Sequence, residues 1–317
     1  MKSSPAWRLH GLDVLRARFE AELLEGRLHH ALLLTGPAGV GKRSIATWIA
    51  RALLCPEPLG CGACGSCDRV ERGEHLDLLR VERPAGRMRI PVEMVRGLVE
   101  QLERGSVEGR GRVAILMDAE LLGGEAQNSL LKTLEEPAAD RTLILSSARP
   151  EFLLETVRSR CEAIRVPPLG REALAAILHA REDVDDALVE RLTVLADGSL
   201  GQALELLKEG VGAWEEHLAP LLAPSEALSA PGWARQVLEG LDSAGGLREA
   251  KRDRAGRVLG LALRLLRQRG REGAAEAWEA VQILLDAQDD LGAGLGAELV
   301  LQSAYRQLGE LRRSRLR

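Results

Sequence analysis

The sequence predicts an α/β domain built on a parallel sheet, followed by helix-only segments. Three observations carry this reading. Five short apolar runs alternate with helix-period stretches in the first half of the chain, a glycine-rich loop links the first run to a helix, and no strand pattern recurs after Pro167-Pro168. Strand-helix alternation needs crossover connections, which place strands in parallel and cover both sheet faces with helices.

The elements follow in order. Residues 31–35 (ALLLT) read as a buried strand, with further strands at 76–81, 113–117 (VAILM), 142–146 (TLILS) and 163–166. Near-continuous apolar runs of this length suit strands buried on both faces. Between them, Ile45, Trp48, Ile49, Ala52 and Leu53 share one helical face, as do Val92, Val95, Val99 and Leu102. Ala126, Leu130 and Leu134 form a third face on a helix stopped by Pro137, which has no N–H to continue the ladder. Residues 172–207 read as short helices broken near Asp197-Gly198. A looser stretch over 210–231 holds a short helix at 214–222, and from Gly232 onward the chain is helical, with breaks at Gly245-Gly246 and between Gly292 and Gly296.

Composition narrows the function classes. Of 317 residues, 45% are hydrophobic but only 3% aromatic, so the core must be aliphatic. That length suits two or three domains. A net charge of -4 excludes a protein that coats DNA with its whole surface; any DNA contact is local or shared with partners. The first twelve residues include Lys2, Arg8 and His10 and no long apolar run, so no secretory leader is expected. No run approaches the ~18 apolar residues of a membrane span, and the expected compartment is the cytoplasm.

Residues 36–42 (GPAGVGK) follow a strand and open a helix. This is the setting of a phosphate-binding loop: Gly36, Gly39 and Gly41 let backbone N–H groups converge on phosphate oxygens, the helix N-terminus adds positive potential, and Lys42 reaches toward the β- and γ-phosphates. The next position should carry a Ser or Thr hydroxyl for Mg²⁺. Here it is Arg43, and Ser44 is turned by about 100° around the helix. Asp118 ends the third strand where a second Mg²⁺-holding carboxylate belongs. The residue after it is Ala119, and Glu120, one place further, is expected to point elsewhere. The loop therefore reads as one that keeps its turn and has lost catalysis: ATP or ADP, if held, is held statically, with Mg²⁺ poorly provided for.

Four of the five cysteines, Cys55, Cys61, Cys64 and Cys67, are spaced C-x5-C-x2-C-x2-C, with glycines at 60, 62 and 65 that let the backbone wrap tightly. In a cytosolic chain such a cluster reads as metal before disulfide. Four thiolates make a closed, structural Zn²⁺ site with no open position for chemistry, and the metal stabilises an insertion too short to build its own core. Cys161 stands apart and is not counted as a ligand.

These features, in this order, resemble the bacterial clamp-loader subunits of the AAA+ class over about residues 5–208. The resemblance rests on the loop, the cysteine module after the first helix, the run NSLLKTLEEP at 128–137, and the triplet Ser159-Arg160-Cys161. The first cysteine gap is five residues where the family has about eight, which reads as loop shortening. The resemblance implies an AAA+ P-loop domain over 1–167 with a zinc module at 55–67, a small helical lid over 168–211, and an all-α collar over 212–317. It also implies that Arg160 is an arginine finger, reaching into a neighbouring subunit's ATP site, where it stabilises charge on the transferring phosphoryl group.

Arg43, Ala119 and Gly201 in the segment Gly198-Ser199-Leu200-Gly201 all stand where the family's motor subunits carry catalytic groups. They resemble the delta-prime type, a structural partner, and motors of the tau type continue well beyond this chain's length. The implied partners are gamma/tau and delta subunits in a ring of five, the sliding clamp and primed-template DNA, with no membrane. Helix association in the collar is expected to rest on apolar faces such as Val258, Leu261, Ala262 and Leu265, and the terminal Arg312, Arg313, Arg315 and Arg317 to be a solvated end. Two alternatives stand beside this reading: a gamma/tau-type motor that recruits Ser44 to Mg²⁺, and a AAA+ relative gripping DNA or protein outside replication.

Overall fold

The computed structural model describes residues 9, 11–84, 87, 89–181, 184–209, 218–222, 229–239, 247–271, 273–274 and 277–315. Among the described residues five strands form: β1 (Ala31–Thr35), β2 (Leu78–Val81), β3 (Arg112–Leu116), β4 (Arg141–Ser147) and β5 (Glu162–Arg165). They make one sheet in the order β2-β3-β4-β1-β5, every pairing parallel. All five expected strands are present, with small shifts at their ends. The run at 76–81 loses its first two residues to a turn in which the Leu78 N–H donates to the His75 carbonyl at 3.0 Å, leaving Leu76 exposed.

The first-half helices are α1 (Asp13–Leu24), α2 (Lys42–Leu54), α3 (Gly65–Arg72), α4 (Val92–Glu103), α5 (Gly124–Asn128), α6 (Leu131–Glu135) and α7 (Glu155–Arg158). Strand alternation sorts the core. Ala31 and Leu33 of β1 join Leu116, Leu145 and residues of α4 to α7 in one apolar cluster. On α2 the buried face is Ile45, Ala46, Ile49, Ala50 and Leu54, whereas Trp48, Ala52 and Leu53 are half-buried. The expected face was thus rotated, because Trp48 turns toward Phe19 of α1, with ring centroids 6.5 Å apart. On α4, Val95, Leu98 and Leu102 are buried, and Val92 and Val99 lie at the edge of the core.

One polar network is centred on a buried carboxylate. The Asp77 carboxylate, 0% exposed, accepts from the Ser106 hydroxyl (2.9 Å) and the N–H groups of Val107 and Glu108 (2.8 Å each), and pairs with Arg112 (3.2 Å). Burial pushes its pKa up, but the hydrogen bonds and Arg112 outweigh it and the net direction is downward from 3.8. A depressed folded-state pKa stabilises the fold above the unfolded value and loses that contribution as pH falls through the folded value. Asp77→Asn should therefore destabilise the chain by about 3–5 kcal/mol at pH 7, since it leaves Arg112 buried without its countercharge. The deficit should shrink in urea titrations carried out at progressively lower pH, below about 4.

The chain divides into two compact units, residues 1–181 with 198–201, and residues 182–197 with 202–317. The segment expected as a lid contributes α8 (Arg171–His179) and residues 198–201 to the first unit, and α9 (Asp186–Ala196) and most of α10 (Leu200–Glu209) to the second. The break at Asp197-Gly198 is present, with φ of 44° and 80°. The second unit continues with α11 (Ala230–Leu238), α12 (Leu247–Arg271), α13 (Ala277–Gly292) and α14 (Ala297–Arg315), among the described residues. Its core contains Trp233, stacked on Tyr305 with centroids 5.3 Å apart.

Val258, Leu261 and Ala262 of α12 are fully buried inside the chain, and Leu266 rather than Leu265 completes their face. The face is spent inside the chain, where this helix packs on α13 and other helices of its own unit. The break between Gly292 and Gly296 is a turn with Gly294 at φ 99°. The expected helix at 214–222 is seen over 218–222; its earlier residues, the break at Gly245-Gly246, and Arg317 lie outside the described residues.

Candidate functional site

The glycine-rich loop runs from the C-terminal end of β1 to the first turn of α2, at the edge where parallel-sheet proteins bind ligands. Gly36, Gly39 and Gly41 have φ of 142°, 75° and 106°. At Gly36 no other residue fits, because a Cβ would lie 2.2 Å from the Val166 carbonyl oxygen. Lys42 is 5% exposed, and its ammonium donates to the Gly36 and Pro37 carbonyls at 2.6 and 2.8 Å. Burial lowers its pKa, against the pull of Glu120 and Asp118. The lysine is thus folded into its own loop.

The loop is also covered by residues 198–201. The Ser199 hydroxyl donates to the Ala38 carbonyl at 3.0 Å, and the Gly201 N–H donates to the Gly39 carbonyl at 3.0 Å. A Cβ on Gly201 would meet the Gly39 Cα at 2.9 Å. A side chain here must push the two segments apart. Gly201→Ala should cost about 1–3 kcal/mol, the usual penalty of overpacking, read as a lower melting temperature.

Arg43 points away from the loop to a bidentate pair with Glu82, one arm at 2.8 Å. That bond holds the guanidinium charged and draws the Glu82 carboxyl below its usual range. Asp118 sits in a left-handed turn, φ 54°, that reverses the chain into a single 3₁₀ turn at Ala119–Leu121. Ala119 is 0% exposed and belongs to the apolar cluster. Glu120 does not point elsewhere, as its position in the sequence suggested. Its carboxylate accepts the Ala148 N–H at 3.1 Å, is attracted to Lys42, and, after burial, is the second cause raising the Asp118 pKa. The left-handed turn brings it back, and nothing in the sequence at Asp118 announces that turn.

The four cysteines converge. Their sulfur atoms lie within 4.8 Å of one another, with separations of 3.8 Å (Cys55–Cys61), 3.7 Å (Cys55–Cys64) and 4.0 Å (Cys61–Cys67). A tetrahedron with Zn–S bonds of about 2.3 Å has edges of about 3.8 Å, so these separations fit four thiolates around one zinc. Backbone N–H groups point at the sulfurs: Glu57 and Cys61 at Cys55, Gly62 at Cys67, and Cys67 at Cys64, at 3.3–3.4 Å. The Cys61 thiol, receiving the Ala63 and Cys64 N–H groups, is pulled down to about 6. Gly60 and Gly62 provide left-handed turns, φ 78° and 70°, whereas Gly65 is an ordinary first residue of α3. Cys161 lies against the apolar cluster, its thiol pushed up to about 12 by burial.

Arg160 sits in the turn after α7, 35% exposed. Its guanidinium donates to the Thr156 carbonyl at 2.9 Å and pairs with Glu135, at the end of α6, at 2.7 Å.

The profile of the family described as "DNA polymerase III, delta subunit" matches residues 13–170. The DNA polymerase III subunit delta' of Pseudomonas aeruginosa is 39% identical over 186 residues, 57% of either chain. The subunit of the same name from Escherichia coli is 36% identical over 223 residues, 69% of this chain and 65% of that one. The chain thus spans 57–65% of the length of these relatives. A solved structure of a DNA polymerase III gamma subunit-related protein from Thermotoga maritima matches 95% of this chain and 99% of its own, with a TM-score of 0.53. At 17% identity that likeness speaks for the fold alone.

Proposed function

The chain belongs to the delta-prime family of DNA polymerase III clamp-loader subunits, and from that membership we propose that it works as a stator and not as a motor. In this reading it sits beside an ATPase subunit in the ring, lends Arg160 to that neighbour's ATP site, and keeps its own loop out of the hydrolytic cycle. The observation that carries the second half is the closed loop itself: Lys42 is bonded to the Gly36 and Pro37 carbonyls, and Gly201 is packed on Gly39.

Hydrolysis in P-loop proteins needs a free lysine at the β- and γ-phosphates and a hydroxyl and carboxylate on Mg²⁺. Here the hydroxyl position is Arg43, which is engaged with Glu82. Burial, with Glu120 beside it, raises the Asp118 carboxyl from its ordinary value, while Lys42 and Arg43 pull it back. When zinc is bound, Cys55, Cys61, Cys64 and Cys67 hold it and tie the end of α2 to α3; the site has no ligand position left for chemistry. ATP binding by the neighbouring motors then opens the sliding clamp, and primed-template DNA triggers hydrolysis and closure.

ATP turnover by the purified chain alone tests the stator reading. None above background is expected, at any Mg²⁺ concentration. Turnover that responds to Ser44→Ala would favour a motor in which Ser44 serves Mg²⁺.

A further inference from the structure

The run NSLLKTLEEP supplied a resemblance but no role, and the structure gives one of its residues a specific contact. Pro137 follows α6, which ends at Glu135, and this end faces the turn that carries Arg160. One arm of the Arg160 guanidinium is taken by Glu135 at 2.7 Å, the other by the carbonyl of Thr156, four residues earlier in its own chain, at 2.9 Å. An arginine bent back on its own preceding turn does not project from the surface. One that lies against a carboxylate has its charge already neutralised. Both conditions are the reverse of what a phosphate on another chain requires.

We propose that Glu135 holds Arg160 in a withdrawn pose, so that delivery of the arginine to the neighbouring subunit begins by breaking this pair. The proposal rests on the finger reading of Arg160. The pair is built for reversal: Arg160 is 35% exposed and Glu135 49%, and an ion pair in contact with water is weak enough to be exchanged for a better anion. A terminal phosphate carries more charge than a carboxylate and accepts the guanidinium fork with the same geometry. The exchange is therefore downhill once the neighbour presents ATP. Glu135 then acts as a positioning residue, setting the resting population of delivered arginine without touching the reacting atoms.

The test compares wild type, Glu135→Gln, Glu135→Asp, Arg160→Ala and the Glu135→Gln/Arg160→Ala pair in the assembled complex. ATP turnover is measured at rest and again with clamp and primed DNA. Glu135→Gln should raise the resting rate about twofold to fivefold, the shift that loss of one exposed ion pair produces, and leave the stimulated rate unchanged. Glu135→Asp should stay close to wild type, and Glu135→Gln should have no effect when Arg160 is alanine. A merely structural role would lower both rates. A resting rate that is unchanged or lower in Glu135→Gln, with Arg160→Ala strongly impaired, overturns the withdrawn pose and leaves the finger intact. Wild-type turnover in Arg160→Ala removes the finger reading itself.

Discussion

Cys67→Ala is expected to abolish metal binding by the four-cysteine cluster and to lower the melting temperature by roughly 8–16 °C. Loss of a structural metal is among the few single changes that cost about 4 kcal/mol or more, and for a protein of this size each kcal/mol shifts the midpoint by about 2–4 °C. The size of the effect follows from how the module is built. Residues between α2 and α3 have no apolar core of their own; Cys55 and Cys67 are its buried cysteines, and Ser66 reaches back to the Leu54 carbonyl at 2.9 Å. Without an ion, four sulfur groups within 4.8 Å of one another are held only by weak N–H contacts at 3.3–3.4 Å. The damage extends into α2, the helix whose first turn carries Lys42. Chelation of the wild type should reproduce the mutant, and Cys161→Ala should keep its full metal content. Metal analysis and thermal unfolding of the three samples decide the matter, and a Cys67→Ala chain with unchanged zinc would remove the metal assignment.

On the proposed function, Arg160→Ala in the assembled complex should slow hydrolysis at the neighbouring ATP site by about 10³-fold, the lower end of what an arginine supplied in trans contributes. The folded chain itself should be nearly unaffected, because the pair with Glu135 is exposed and worth at most about 1 kcal/mol. That separation between catalysis and stability makes the substitution informative. Arg160→Lys should not rescue the rate, since an ammonium lacks the planar fork that spans two phosphate oxygens.

Much of the fold was legible because its determinants are local. Five apolar runs between helix-period segments specify a buried parallel sheet, and each run became a strand with its ends moved by a residue or two. The cysteine cluster was legible for a chemical reason, since no other common role asks for four thiols at that spacing. What escaped the sequence depends on contacts distant along the chain. The face of α2 rotated because Phe19 offers Trp48 a partner. Glu120 returned to the loop through a left-handed Asp118, a conformation that sequence periodicity does not encode. In the sequence, Gly201 stands out only as the absence of an arginine. Its packing against Gly39, 160 or so residues away, gives the absence a physical reason only once the backbone is in place. The apolar face on α12 was legible, with Leu266 in the place given to Leu265, because periodicity fixes a stripe only to within a residue.

The central claim is that this subunit contributes an arginine and not a motor. It is tested most directly by single-turnover ATP hydrolysis in the complete complex, with clamp and primed DNA, comparing wild type with Arg160→Ala and running the isolated chain beside them. The account predicts no turnover by the isolated chain, and a rate at the neighbouring site reduced about 10³-fold by the substitution while that site still binds ATP. A substituted complex that hydrolyses ATP at the wild-type rate, or an isolated chain that turns it over, would contradict it.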